Sequence, residues 1–333
     1  MSTLLEVEGL NVGLPVAGEL RTVLRDVSFS LAAGQALGLV GESGSGKSMT
    51  VRTVARLLPE GAEVTGSVRF DGAEVFDLSS TALRSFRGRD VATIFQDARA
   101  ATNPVRSVGD FLTEAMRTND RMPKAAARKR AMELLVEVGI GDPERRMRQY
   151  PHELSGGLLQ RVMIAAAVVA RPRLILADEP TTALDVTTQA EVMTILGRMQ
   201  REYGMALLFI THDLELAGAV CDETIVLYAG QVMERQQSAQ LHRDPLHPYS
   251  AALLQARPEI DRRVLRLPAI PGHPTTAYEA PEGCAFAPRC HFAEDRCGDG
   301  VPVLQQVGGA DRLTRCVRMP ALRGQLFESE VRS

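Results

Sequence analysis

Gly41-Glu42-Ser43-Gly44-Ser45-Gly46-Lys47-Ser48 is the stretch whose residue types and spacing make the most specific chemical statement. It matches the phosphate-binding loop G-x-x-x-x-G-K-[ST]. Glycines let the backbone curl so that several N–H groups converge on phosphate oxygens. The helix that follows adds its positive N-terminal end. Lys47 supplies a mobile charge for the β- and γ-phosphates, and the Ser48 hydroxyl a ligand for Mg²⁺. Further along, Leu174-Ile175-Leu176-Ala177-Asp178-Glu179-Pro180 delivers two carboxylates at the end of an apolar run. Asp178 is placed to hold Mg²⁺, directly or through water, which leaves Glu179 as general base on the attacking water. Alone, such a pair is also what an ordinary polar strand end looks like. Gln96 follows the apolar run Val91 to Phe95, and His212 follows Ala206 to Ile210. Singly, neither is informative, and a lone histidine is more often structural.

Position changes their meaning. In open α/β sheets, ligands bind outside the carboxyl ends of the strands. The glycine loop, Gln96, Asp178-Glu179 and His212 each end a separate predicted strand, so one γ-phosphate could be met by all of them. The strands are Ala36 to Val40, Val91 to Phe95, Leu174 to Ala177 and Ala206 to Ile210. A helix is expected from Lys47 to about Leu58, stopped by Pro59 and Gly61. Leu4, Val7, Val23, Val27, Phe29 and Leu31 alternate with polar residues, the period of half-buried strands. Residues 64–76 read as a hairpin-like pair turning at Asp71-Gly72. From Gly109 to Glu153 the chain turns helical and charged, and its basic segment Arg121 to Arg130 reads as a solvated helix face. Further helices are expected over Leu158 to Ala170 and Thr188 to Glu202. Strands alternating with helices place the chain in the α/β class, with a sheet that is parallel over a large part. Beyond about Pro245, proline, glycine and cysteine rise and periodicity weakens, so a domain boundary is expected near 240–250. No internal repeat or low-complexity tract is visible.

Composition is that of a globular protein: 333 residues, 45% hydrophobic, 24% charged, net charge -3. The charge balance argues against a general nucleic-acid binder, which usually carries a basic face. The N-terminus has no basic stretch followed by a long apolar one, so no signal peptide is expected. The most apolar run, Val162 to Ala170, falls far short of the ~20 residues a membrane span needs. The five cysteines are then expected in a reducing compartment, where disulfides are rare. Cys221 reads as a small core residue. Cys284, Cys290, Cys297 and Cys316 crowd the tail without a C-x₂-C pair. As thiolates they suit Zn²⁺ or an iron–sulfur cluster; reduced, buried, metal-free thiols are the plainer alternative. His291 is a further candidate ligand or a surface histidine.

Taken together, these motifs resemble the ATP-binding cassette (ABC) ATPases. Gly41 to Ser48 looks like their Walker A loop, with Met49 next in the nucleotide-binding set. Leu174 to Asp178 looks like Walker B, with Glu179 as its catalytic carboxylate. Gln96 resembles the Q-loop, a Mg²⁺ and γ-phosphate contact, His212 the H-loop, and Ala183-Leu184-Asp185 the D-loop. Leu154-Ser155-Gly156-Gly157, followed by Gln160-Arg161, matches the signature that separates these ATPases from other phosphate-loop proteins. Ser155, Gly156 and Gly157 form a donor cluster at a helix start, an anion-binding arrangement. In this family the signature binds the γ-phosphate of ATP held by a partner cassette, so the resemblance implies a head-to-tail pair. It covers about residues 4–240. The implied fold is a cassette domain, 1–245, with a mixed sheet core, an N-terminal antiparallel β part and a helical signature subdomain at about 98–165. A small Cys-rich extension, 246–333, follows. Two departures stand out. The fifth signature position, commonly glutamine, is Leu158. The family usually stacks an aromatic residue on adenine from the segment before the first core strand, yet residues 1–28 contain no Phe, Tyr or Trp. Modest discrimination between ATP and GTP is the consequence expected.

Further pieces resemble the ATPases of dipeptide, oligopeptide and nickel importers. They are Ile94-Phe95-Gln96-Asp97 with Asn103-Pro104, Tyr150-Pro151-His152-Glu153, His247-Pro248-Tyr249, Ile270-Pro271-Gly272 and Cys284-Ala285-Phe286-Ala287-Pro288-Arg289-Cys290. The resemblance implies a transport-coupled ATPase, a translocase using ATP and Mg²⁺ at the cytoplasmic face of the membrane. Its partners would be a second cassette, two transmembrane permeases and an extracytoplasmic binding protein, with no nucleic acid. Short peptides lead as cargo, with nickel chelates and other small solutes behind. Some relatives with this tail carry a 4Fe–4S cluster, which the resemblance transfers to Cys284, Cys290, Cys297 and Cys316, with Zn²⁺ as the alternative. The rival class is a non-transport ABC ATPase of DNA repair or the ribosome; such chains usually carry a second cassette or a long coiled-coil insertion.

Overall fold

The computed structural model describes residues 2–182, 184–256, 269–309 and 311–326. They divide into two units, one of Met1–Leu4, Leu31–Ala36 and Ala73–Ile210, the other of Leu5–Ser30, Leu37–Gly72 and Thr211–Ser333.

In the first unit, strands Val91–Ile94, Leu174–Asp178 and Ala206–Thr211 run parallel in that order, with Val91 opposite Leu174 and Leu174 opposite Ala206. Leu174 to Ala177 and Ala206 to Ile210 are wholly buried. Unbroken apolar runs of this kind belong to parallel strands covered on both faces. The helical stretch expected over 109–153 is divided into Val108–Asn119, Lys124–Glu137 and Pro143–Arg146, with a 3₁₀ turn at Pro151–Glu153. The breaks fall where the backbone turns left-handed, at Arg121 (φ 53°), Gly139 (φ 73°) and Asp142 (φ 50°). Ser107 and Asp142 cap the helices that follow them through their side-chain oxygens. The basic segment Arg121 to Arg130 is not wholly a solvated face. Arg130 bonds Glu137 and the Tyr203 hydroxyl, each at 2.9 Å, and so ties its helix to Val186–Tyr203.

In the second unit, strand Glu223–Tyr228 has a parallel neighbour in Ala36–Val40 and an antiparallel one in Gln231–Gln237. Two short strands from the C-terminal region, Leu313–Thr314 and Gln305–Gln306, extend that edge. Strand Thr3–Val16 pairs antiparallel with Glu63–Phe70 and has Glu19–Ala32 on its other side. The expected alternation is interrupted twice. Gly9 (φ 55°) marks an irregularity between Glu8 and Asn11, and Asp26 (φ 51°) shifts the phase so that Leu24 rather than Val23 is buried. The helix at Lys47 ends at Val54, because Arg56 (φ 53°) has already left the helical region before Pro59 is reached. Asp71 (φ 51°) and Gly72 (φ 78°) adopt the turn conformation their types favour. After helix Pro248–Gln255 the described C-terminal residues are mostly irregular, packed around Tyr249 and Phe286 on one side and Leu246, Met319 and Leu322 on the other. Cys221 is buried, as expected. Among the described residues no helix is long and apolar enough to cross a membrane.

Glu234 joins strand Gln231–Gln237 to the start of the C-terminal region. Its wholly buried carboxylate accepts the N–H groups of Leu246 (2.8 Å) and His247 (2.9 Å) and the amide of Gln236 (2.6 Å). Burial pushes this carboxyl up from 4.5 to about 7, opposed by the hydrogen bonds from Leu246, His247 and Gln236. Between those values the unfolded chain releases a proton that the folded chain keeps. Stability is therefore full below the lower value and is lost as pH rises to the upper one, by on the order of 3 kcal/mol. In urea unfolding at the two ends of that window, the wild type is expected to lose more stability with rising pH than Glu234→Gln; equal losses would contradict this account.

Candidate nucleotide site

Strand Ala36–Val40, buried at every residue, delivers the chain to Gly41. The loop closes on itself. Ser45 N–H donates to the Glu42 carbonyl at 3.2 Å, and Lys47 Nζ donates to the carbonyls of Gly41 (2.7 Å) and Glu42 (2.9 Å). Gly46, at φ 104°, caps helix Lys47–Val54 in a conformation that side chains avoid, and a Cβ there would lie 2.6 Å from Leu24 Cδ2. Ser45 Oγ is buried with no hydrogen-bond partner among the described residues. A buried hydroxyl without a partner among the described residues, just ahead of a helix start, fits a phosphate oxygen. Ser43, Gly44, Ser48 and Met49 complete the segment.

Glu42, a variable position of the motif, is held by the distant C-terminal region. Arg289 meets it in a two-bond fork, Nη1 to Oε2 at 2.6 Å and Nη2 to Oε1 at 3.1 Å, across 247 residues of sequence. Arg289 also donates to the Pro271 carbonyl (2.7 Å) and the Tyr228 hydroxyl (3.2 Å), and lies over the rings of Tyr228 and Phe286. Burial lowers the guanidinium's pKa, yet the bonds to Glu42 and Tyr228 outweigh this and leave it raised. Glu42 N–H donates to the Tyr249 hydroxyl at 2.9 Å. Two motifs singled out in the sequence thus meet Glu42 directly, through Tyr249 and Arg289, and a third, through Pro271, meets it by way of Arg289. In the same unit His212 is exposed, and Asp213 caps helix Leu214–Val220 by accepting the N–H groups of Glu215 and Leu216.

In the first unit, strand Leu174–Asp178 ends on a buried Asp178. The next residue, Glu179, sits at φ 46°, a conformation that costs a non-glycine residue energy and is met at functional sites. Its N–H donates to the Ile210 carbonyl at 3.0 Å. Its Oε2 accepts from the Thr182 hydroxyl (2.8 Å) and from Gln96 Nε2 (3.3 Å). The structure therefore brings Gln96 to Glu179, and adds Thr182, which no sequence motif had singled out. Ser155 caps helix Gly156–Val168. A Cβ on Gly157 would run into the Thr188 methyl, and Thr188 in turn donates twice to Asp185, the N-cap of helix Val186–Tyr203. Those bonds from Thr188 hold the Asp185 carboxyl below its ordinary value. Ala183 lies outside the described residues.

Cys284, Cys290, Cys297 and Cys316 line one cavity with Phe286, Phe292 and His247. Burial raises the thiols of Cys290 and Cys316 to about 12 and about 11. His247 Nδ1 accepts the Tyr249 N–H at 3.0 Å, so its proton sits on Nε2, which is buried and has no partner among the described residues. Burial lowers this imidazole to about 3 and keeps it neutral. Among the described residues no group of three or more His, Cys, Asp or Glu is arranged to hold a metal ion. That geometry supports neither a Zn²⁺ site nor an iron–sulfur cluster.

Comparison with known proteins agrees with both halves of the chain. Residues 24–182 match the family model described as ABC transporter, and residues 233–297 the one described as oligopeptide/dipeptide transporter, C-terminal region. The oligopeptide transport ATP-binding protein OppD of Haemophilus influenzae is 42% identical over 89% of this chain and 92% of its own length. OppD of Escherichia coli K12 is 41% identical over 95% and 93%. Among solved structures, the ATP-binding cassette MJ0796, a dimer in a post-hydrolysis state with ADP and Pi, superposes with a TM-score of 0.64 at 27% identity, covering 71% of this chain and 99% of that one.

Arg289 lies within the matched C-terminal region. Removing one partner of a buried ion pair leaves the other uncompensated, so Arg289→Ala is expected to cost about 3 kcal/mol of unfolding free energy. Arg289→Lys is expected to recover less than half, since an ammonium cannot make the parallel fork. Denaturant unfolding decides it, and wild-type stability in Arg289→Ala would show the clamp to be idle.

Proposed function

From the premise that this chain belongs to the ABC transporter family, in the branch with the oligopeptide/dipeptide C-terminal region, we propose that it is the ATP-hydrolysing motor of a peptide importer. Similarity to the OppD proteins over about nine-tenths of both chains carries this reading. The phosphate loop, with its left-handed Gly46 and a Ser45 hydroxyl that has no partner among the described residues, supports the ATPase half.

In this reading ATP binds Gly41 to Met49, with Mg²⁺ on Ser48, Gln96 and Asp178. Glu179 takes the proton of the attacking water. Gln96 and Thr182 hold that carboxylate in place, and His212 keeps the γ-phosphate and water in line. Ser155, Gly156, Gly157 and Asp185 serve the nucleotide of a second cassette, so hydrolysis requires a pair. Nucleotide state shifts the population between closed and open pairs. Two permeases couple that shift to peptide passage, and an extracytoplasmic binding protein delivers the cargo. The chain works from the cytoplasmic face of the membrane, with residues 246–333 as an extension to the cassette at 1–245. General-base removal typically costs 10²–10⁴-fold. Glu179→Gln is therefore expected to keep its ATP affinity and lose at least about a hundredfold in turnover. Purified with ATP from gently solubilised membranes, that variant is expected to bring down two permeases and a second cassette. Recovery with ribosomes or repair proteins, and no permease, would overturn the transport reading.

Cys284, Cys290, Cys297 and Cys316 are read as the ligands of a 4Fe–4S cluster. Burial raises the thiols of Cys284, Cys290 and Cys316, and the positive charge of bound iron would let them ionise. Held there, a cluster would cross-link the tail rather than take part in hydrolysis. Anaerobically purified chain is expected to carry about four iron and four labile sulfide, lost in Cys290→Ser. Stoichiometric zinc, or no metal at all, would exclude the cluster.

A further inference from the structure

Residues 1–28 hold no Phe, Tyr or Trp for the base of a nucleotide, and Phe29 is buried. Within the second unit the C-terminal region brings one. Residues 275–278 run beside the phosphate loop. Thr275 N–H donates to the Tyr228 hydroxyl at 3.3 Å, and a Cβ placed on Gly44 would stand 3.8 Å from the Thr276 methyl. Ala277 packs on Gly230, to which a Cβ could not be added without a 2.9 Å contact. Gly230 itself bridges the loop and the N-terminal segment: its N–H donates to the Ser45 carbonyl (2.9 Å), and its carbonyl accepts from Arg25 (2.8 Å). Thr276 and Glu279 then close a turn, with Glu279 N–H on the Thr276 carbonyl at 3.1 Å and the Thr276 hydroxyl on the Glu279 carboxylate at 2.6 Å. Tyr278 stands on that turn, 46% exposed, the only exposed Phe, Tyr or Trp among the described residues of this unit. The Arg21 guanidinium lies over its ring at 4.9 Å.

An exposed aromatic ring stacked with a guanidinium, next to a triphosphate loop, is suited to one class of ligand. We propose that Tyr278 and Arg21 form the platform on which the purine base of the bound nucleotide stacks. This inference rests on the ATPase reading and deepens it. The ring comes from the C-terminal region rather than from the segment before the first strand, and Arg21 marks where the two meet. Stacking uses the π-face that every purine has and reads no hydrogen-bonding edge. The platform therefore accepts ATP and GTP alike, in keeping with the loose base selectivity expected from the sequence.

The chain contains no tryptophan, so Tyr278→Trp places a single indole at the platform. In the full-length variant, MgATP is expected to quench the indole emission saturably, while inorganic tripolyphosphate, which has no base, leaves it unchanged. Tyr278→Ala is expected to weaken ATP binding about tenfold, the scale of one base–aromatic stack, with tripolyphosphate affinity unaltered; Tyr278→Phe is expected to bind as wild type. Should Tyr278→Ala not fold, Tyr278→Leu keeps an apolar side chain without the ring and is read in the same way. Unchanged ATP affinity in the ring-less variant, or equal loss for ATP and tripolyphosphate, would overturn the platform. Wild-type chain that binds neither ligand would overturn the ATPase reading along with it.

Discussion

A buried guanidinium needs a full set of acceptors, and the way Arg289 obtains them organises the nucleotide-binding half of this protein. Its fork closes on Glu42, its Nε on the Pro271 carbonyl, and its flat face on the rings of Tyr228 and Phe286. Each partner comes from a different stretch of chain, so none can move far without leaving a charge desolvated and unpaired. Val40, Tyr228, Tyr249 and Phe286 belong to one buried cluster beneath these polar contacts. The C-terminal region is thereby part of the packing that shapes the phosphate loop. The loop itself contributes a carboxylate at a place built to receive anions, and the pairing neutralises it there.

The carboxylate at the strand end of the other unit is held by different means. Glu179 occupies a left-handed backbone position that its side chain does not favour. The Ile210 carbonyl fixes its N–H, and Thr182 and Gln96 fix the same carboxylate oxygen. Strain is maintained because the surroundings over-determine it. The polar residues at the ends of Val91–Ile94 and Leu174–Asp178 meet because those strands are parallel neighbours in register.

The cysteine cavity shares Phe286 with the Arg289 site, and Arg289 and Cys290 are adjacent in the chain. Raised thiols and a neutral, buried His247 make the cavity apolar in electrostatic character. The cavity is joined to the loop-shaping cluster through a shared ring and a peptide bond. His247-Pro248-Tyr249 spans the two: its histidine faces the cavity and its tyrosine hydroxyl takes the Glu42 N–H.

The sequence by itself determined what depends on neighbouring residues. The phosphate loop, the apolar parallel strands, the donor cluster at the Ser155 helix start and the Asp71-Gly72 turn are all stated by contiguous side chains, because backbone conformation and strand burial are local demands. Helix ends were less legible, since Arg56 and Arg121 turn left-handed without a glycine or proline at that position to announce it. Arg130 looked solvated because its partner Tyr203 lies 73 residues further along the sequence. Tertiary structure alone decided that Arg289 takes Glu42, that Tyr249 takes its N–H, that Thr182 steadies Glu179 and that Tyr278 stands over Arg21. Those pairings join groups of ordinary type whose spacing carries no code. Which arginine meets which carboxylate is chosen by the burial around it, and burial is a property of the folded chain.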